Sequence, residues 1–224
     1  LDGFYRIDAA LRGVAGVRVT EKDENSDGTA LPRLDWDTLG RYDVVILSDA
    51  GCPTRYVERR ALSDFVRRGG GLIVLGGPYG LGQGAFDGTA VEALLPVDVG
   101  PGRDILTIHR TEPMTGCASS ELLSGIDPRA WADPPMLYRR HDVVPTNDAE
   151  VHLLVGTDPV LLSSRRGEGR VVVFAGTMLA GPAADNRRRG VEIPGENGDG
   201  TPFWDWPAWP TVMRNAIEWA GAAR

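Results

Sequence analysis

Asp49, Cys52 and His109 are the residues whose types and positions come nearest to a catalytic set in this sequence. Cys52 follows the apolar run YDVVILSD at 42–49 and precedes Pro53, which opens a helical pattern. A thiol between a strand end and a helix amino terminus lies where partial positive charge favours the thiolate. Asp49 would cap that loop or line the same cleft, and His109 ends the apolar run at 105–108. Together the three would furnish the nucleophile, acid and base of an uncharacterised hydrolase or lyase. The plainer reading of Cys52 is a small buried hydrophobe.

A second stretch with chemical content is GGGLIVLGGPYGLGQGAFDGT at 69–89. A glycine stop, a short apolar run and a glycine-rich turn describe a buried strand that delivers a loop to the carboxyl edge of a sheet. Gly76, Gly77, Pro78, Tyr79 and Gly80 would then meet a ligand there. Residues 80–85 match the spacing of a dinucleotide fingerprint, but Phe86-Asp87-Gly88 follows where a helix amino terminus should receive a pyrophosphate. No cofactor is expected. No G-x-S-x-G elbow supports a serine nucleophile.

Asp23, Asn25 and Asp27, followed by Gly28, reproduce the first half of an EF-hand loop. The position that should hold a bidentate Glu is Leu34, so these are either calcium ligands of an unusual loop or a solvated acidic turn. His109, His141 and His152 are the three imidazoles, and none lies at metal-ligand spacing from another His or Cys. His152 alternates with apolar residues and reads as structural. Trp204 and Trp206, beside Phe203 and Trp209, could stack a sugar, or could pin a loop to the core through their indoles.

The elements that must position these residues read as α/β. Residues 4–12 have helical spacing, and 17–20 suggest a short strand. A helix before the first strand implies that a doubly wound sheet is missing its opening strand. The run at 42–49 is a strand, and a helix follows with Val57, Ala61, Leu62, Phe65 and Val66 on its apolar stripe. The strand at 72–75 completes a βαβ unit. A short helix is expected over 89–95, strands at 105–108, 151–155, 160–164 and 170–176, and a closing helix over 211–222.

With 224 residues, 42% of them hydrophobic, the chain suits one domain with a sizeable core. A net charge of −7 argues against a nucleic-acid surface. Cys52 and Cys117, far apart, fit a reducing, cytoplasmic setting rather than a disulfide framework. No run is long enough to span a bilayer. Clustered Trp also suits a homo-oligomer or partner-domain interface.

Four phrases in order carry a resemblance: YDVVILSD at 42–49, DFVRRGGGLIVLGGP at 64–78, GTAVEALLPVDV at 88–99 and GEGRVVVFAGT at 167–177. They resemble the class I glutamine amidotransferase-like superfamily, in the branch of trehalose-utilisation proteins and amidotransferase-like domains of bacterial membrane proteins. The resemblance implies a flavodoxin-like three-layer sandwich, with a mainly parallel central sheet and a carboxyl-terminal β-hairpin addition. It also implies a nucleophile elbow, L-G-x-C-x-G, at 75–80, but the nucleophile position holds Pro78. The His-Pro-Glu phrase that supplies base and orienting acid has no counterpart after residue 170. The expectation is a domain without glutaminase activity that binds a small polar or carbohydrate-like ligand, or serves assembly.

Overall fold

The computed structural model describes residues 5–12, 14–20, 34–108, 113–178 and 200–222. Among them a six-stranded sheet forms the middle of the molecule, built from β1 (Val44–Ser48), β2 (Gly71–Leu75), β5 (Met114–Gly116), β8 (Glu150–Val155), β9 (Asp158–Arg166) and β10 (Gly169–Phe174). The order is β1-β2-β10-β9-β8-β5. Two small antiparallel ribbons stand apart from it: β3 (Val97–Val99) with β7 (Val143–Pro145), and β4 (Ile105–Thr107) with β6 (Arg139–His141).

Only β1, β2 and β10 run parallel, and the remaining pairs are antiparallel, so the sheet is mixed rather than mainly parallel. The cause is the short connections at 156–157 and 167–168, because a two-residue turn can join only antiparallel strands. The expected late hairpin is therefore half of the sheet and not an appendage.

Strand alternation divides the core into two. Ile73, Leu75, Val172 and Phe174 face one side, where α1 (Ile7–Leu11) and α4 (Trp209–Gly221) pack. Leu72, Val74, Val171 and Val173 face the other, covered by α2 (Trp36–Leu39) and α3 (Tyr56–Arg67). β2 is apolar at both parities because it is buried on both faces. Leu72 to Leu75 are each at most 1% exposed, and each contributes about 1.5–3 kcal/mol by burial.

The turn from α3 into β2 needs glycine. Gly69 has φ +102, its N–H donates to Val66 C=O and the Gly70 N–H to Phe65 C=O, which closes the helix in a Schellman arrangement. Three local expectations fail. Residues 17–20 form no strand, only Glu92–Leu94 of 89–95 is helical and that as a 3-10 turn, and Val57 is 68% exposed. Val57 lies in the first turn of α3, and the buried residues of that helix begin only at Leu62.

Candidate functional site

The carboxyl ends of β1, β2 and β10 carry the residues of interest. Asp49 follows β1 with φ +46, in the left-handed region, where a short polar side chain is better tolerated than most. This turn aims its carboxylate across the sheet edge at the loop after β2, and Oδ1 accepts the Tyr79 N–H at 2.8 Å. The loop is held from beneath: Gly76 N–H donates to Phe174 C=O at 2.8 Å and Gly80 N–H to Gly77 C=O at 3.0 Å. The Tyr5 hydroxyl donates to Gly76 C=O. Burial pushes the Tyr5 phenol up, and nearby Asp49 adds to that shift.

Two glycines are dictated by close approach. A Cβ on Gly76 would lie 2.5 Å from Gly176 O and 2.8 Å from the His141 ring, and one on Gly77 would overlap the Asp49 carboxylate. Both are far inside contact distance.

Behind the loop lies a pair that sequence reasoning left without a role. His141, at the end of β6, is drawn to the sheet edge by its N–H to Ala175 C=O at 2.8 Å. Its ring is fully buried. The Gly77 N–H donates to Nε2 at 3.1 Å, and Nδ1 lies 2.8 Å from Asp104 Oδ2. An amide N–H can only donate, so Nε2 is the acceptor and Nδ1–H is directed at Asp104. Asp104 also receives Gly82 N–H at 3.0 Å and Gln83 N–H at 3.2 Å. Asp104 and His141 thus pin the glycine loop at Gly77, Gly82 and Gln83. The only signal in the sequence was an Asp and a His in short polar segments flanking strands, which many loops share.

Cys52 does lie beside this edge, its N–H donating to Gly84 C=O at 2.7 Å. The thiol is 8% exposed within the core and sits 3.6 Å from the Thr89 hydroxyl. Burial pushes the Cys52 thiol up, outweighing the Thr89 contact and the Arg59 charge. Helix α3 begins only at Tyr56, so its amino terminus does not offset that burial. Asp49 is likewise raised, first by burial, against the hydrogen bond from the Tyr79 N–H. His109, Asp23, Asn25 and Asp27 lie outside the described residues. Among the described residues no group of three His, Cys, Asp or Glu could hold a metal ion, and no helix is long and apolar enough to cross a membrane.

Trp206 is buried, with its indole N–H on Ala130 C=O at 3.0 Å, and Trp204 is half-buried edge-on to Phe203 at 5.0 Å. Tyr79, whose backbone N–H Asp49 holds, is in contrast 70% exposed. A cleft of about 730 Å³, lined by Cys117, Ser120, Glu121, Leu123 and Trp131 among others, shares no residue with this edge.

His152 stands between Ser120 Oγ, 2.7 Å from Nδ1, and Ser163 Oγ, 2.8 Å from Nε2. Burial lowers its pKa from 6.5 to about 4. The unfolded chain therefore takes up the proton first. The contribution of His152 to stability is complete above about pH 6.5 and is lost as the pH falls toward 4. Replacing His152 by Asn should flatten the dependence of urea midpoint on pH across that window.

No family model matches the sequence, and no curated protein matches it. Solved structures do. The Cytoplasmic Protein STM3548 from Salmonella typhimurium superposes with TM-score 0.74 at 19% identity, covering 96% of this chain and 85% of its own. The Cytoplasmic Protein STM1381 from Salmonella typhimurium LT2 gives 0.73 at 18%, covering 97% and 86%. A thua-like protein from Parabacteroides merdae gives 0.58 at 10%, covering 97% and 84%. These likenesses show that the chain shares its overall fold with the three structures.

Proposed function

We propose that this domain has no glutaminase activity and acts as a ligand-binding or assembly module, presenting a fixed loop at the carboxyl edge of a flavodoxin-like sandwich. The observation that carries the reading is the occupation of His141 Nε2 by the Gly77 N–H. An imidazole that accepts from the loop backbone is not a base for a nucleophile on that loop. Pro78 offers no reactive atom at the elbow, and the raised thiol of Cys52 works against a displaced nucleophile. The ligand surface would be exposed Tyr79 with half-buried Pro78, held in place by the buried Asp49 and Gly77 beneath them, a combination suited to a small polar or carbohydrate-like molecule. The setting is a bacterial cytoplasm, with a homo-oligomer or a partner domain as the assembly role.

The test is glutaminase and general esterase turnover by the purified protein and by Pro78→Cys. Neither should exceed buffer, and turnover abolished by Cys52→Ala would overturn the reading. In parallel, Cys117, half-buried in the cleft wall, should be alkylated at neutral pH faster than Cys52 by about tenfold or more. Faster labelling of Cys52 would favour a hydrolase built on Asp49 and Cys52.

A further inference from the structure

The cleft of about 730 Å³ opens beside β5, at the opposite side of the sheet from β1. Both of its walls are tied to the core. The turn at 117–124 forms one wall, where Ser120 Oγ lies 2.7 Å from His152 and the Asn215 side chain donates to Leu122 C=O at 3.0 Å and Ser124 C=O at 2.8 Å. The Trp219 indole N–H donates to Glu121 Oε2 at 2.8 Å, which fixes the carboxylate by one oxygen. Half-buried Trp131 forms the other wall, packed on Trp206 at 4.8 Å, and the Trp206 indole N–H holds the neighbouring Ala130 C=O at 3.0 Å. Between the walls Gly116 sets the floor. A Cβ there would lie 2.7 Å from the Leu123 side chain and 3.0 Å from the Trp131 ring, so a residue without one lets both close on β5. The volume is that of a small-molecule site, and walls fixed in advance lower the cost of binding.

The chemistry of the lining selects among ligands. Among the described residues that border the cleft, Glu121 is the only charged one, and none is Arg or Lys. Arg165 borders a separate, smaller cleft beyond Ser119 and Glu121. An anion would therefore lie beside a carboxylate with no counter-charge, which is unfavourable. A neutral sugar would meet no amide or guanidinium side chain to donate to its oxygens, and the Ser120 hydroxyl is already engaged by His152. A cation has both of the groups it needs, a carboxylate and an indole ring, the aromatic group that attracts cations best. One carboxylate balances one positive charge, and Leu123 supplies apolar wall for a hydrocarbon body. The net charge of −7 favours the approach of a cation.

We propose that this cleft is a binding site for a small organic monocation, an ammonium group on a short hydrocarbon body, with the charge recognised by Glu121 and Trp131. It is separate from the surface at Tyr79. Cys117, which borders the same cleft and is half-buried, reports on its occupancy.

The experiment follows alkylation of Cys117 by iodoacetamide, an uncharged reagent, at constant ionic strength, with choline as the probe and 3,3-dimethylbutan-1-ol as its uncharged isostere. Choline should slow the labelling of Cys117 by about tenfold at ten times its dissociation constant and leave Cys52 unchanged. The isostere fills the same volume without the charge and should bind about fivefold or more weakly. Glu121→Gln keeps an oxygen for the Trp219 N–H and removes only the charge, so it should weaken protection by choline about fivefold and leave that by the isostere as it was. Absence of protection by choline, equal protection by the isostere, or equal slowing at Cys52 overturns the proposal. So does protection by choline that Glu121→Gln leaves unaltered, or stronger protection by glucose or acetate.

Discussion

Replacing His141 by Ala should lower stability by about 3–5 kcal/mol, the range for breaking a buried polar pair, and lower the melting temperature by roughly 10 °C. The ring is fully buried, and its removal leaves two groups without their partner: the Gly77 N–H and one oxygen of Asp104. An amide left unsatisfied in the core contributes about 1–3 kcal/mol of that loss, and a carboxylate more. His141→Asn separates the two. Its amide NH2 can stand in for Nδ1–H toward Asp104, while nothing reaches Gly77, so about half of the lost stability should return. Urea titration of the three proteins measures this. Wild-type stability in the Ala variant would mean that the loop is held without the pair.

Trp209→Ala should be comparably severe, about 3–5 kcal/mol for a buried large aromatic. The indole lies 4.8 Å from both Phe174 and Phe203, between the end of β10 and the loop before α4. Its N–H donates to Tyr5 C=O at 3.0 Å and so ties α4 to the segment that enters α1. Trp209→Phe keeps most of the apolar contact and loses only the hydrogen bond, for about 1 kcal/mol. Denaturant midpoints give the magnitudes. Amide exchange at Ala10 should rise in both variants, because α1 has only five residues and depends on this anchor.

Much of this architecture is legible along the chain. Gly69 to Gly71 between an amphipathic run and an apolar run announces the α3–β2 turn, since few residues other than glycine adopt φ +102. The hairpins around 156–157 and 167–168 are visible from their turn residues, yet those same turns should have ruled out a mainly parallel sheet. The strand expected at 17–20 did not form for a different reason. Val17 and Val19 supply β-propensity, but a strand requires a neighbour to pair with, and propensity alone does not provide one.

The amino-acid sequence by itself determined the two-sided core, the helix stops and the glycine-rich turn with Pro78 after β2, because these depend on residue type and on periods of two and 3.6 residues. Tertiary structure alone decided what surrounds that turn. Asp104 and His141 are 37 residues apart and come together only because β4 pairs with β6. Gly77 lies 64 residues from His141, and the two meet only because Ala175, at the end of β10, takes the His141 N–H. Whether a buried imidazole serves as a base or as a clasp depends on which atoms face its two nitrogens, and no local pattern encodes that.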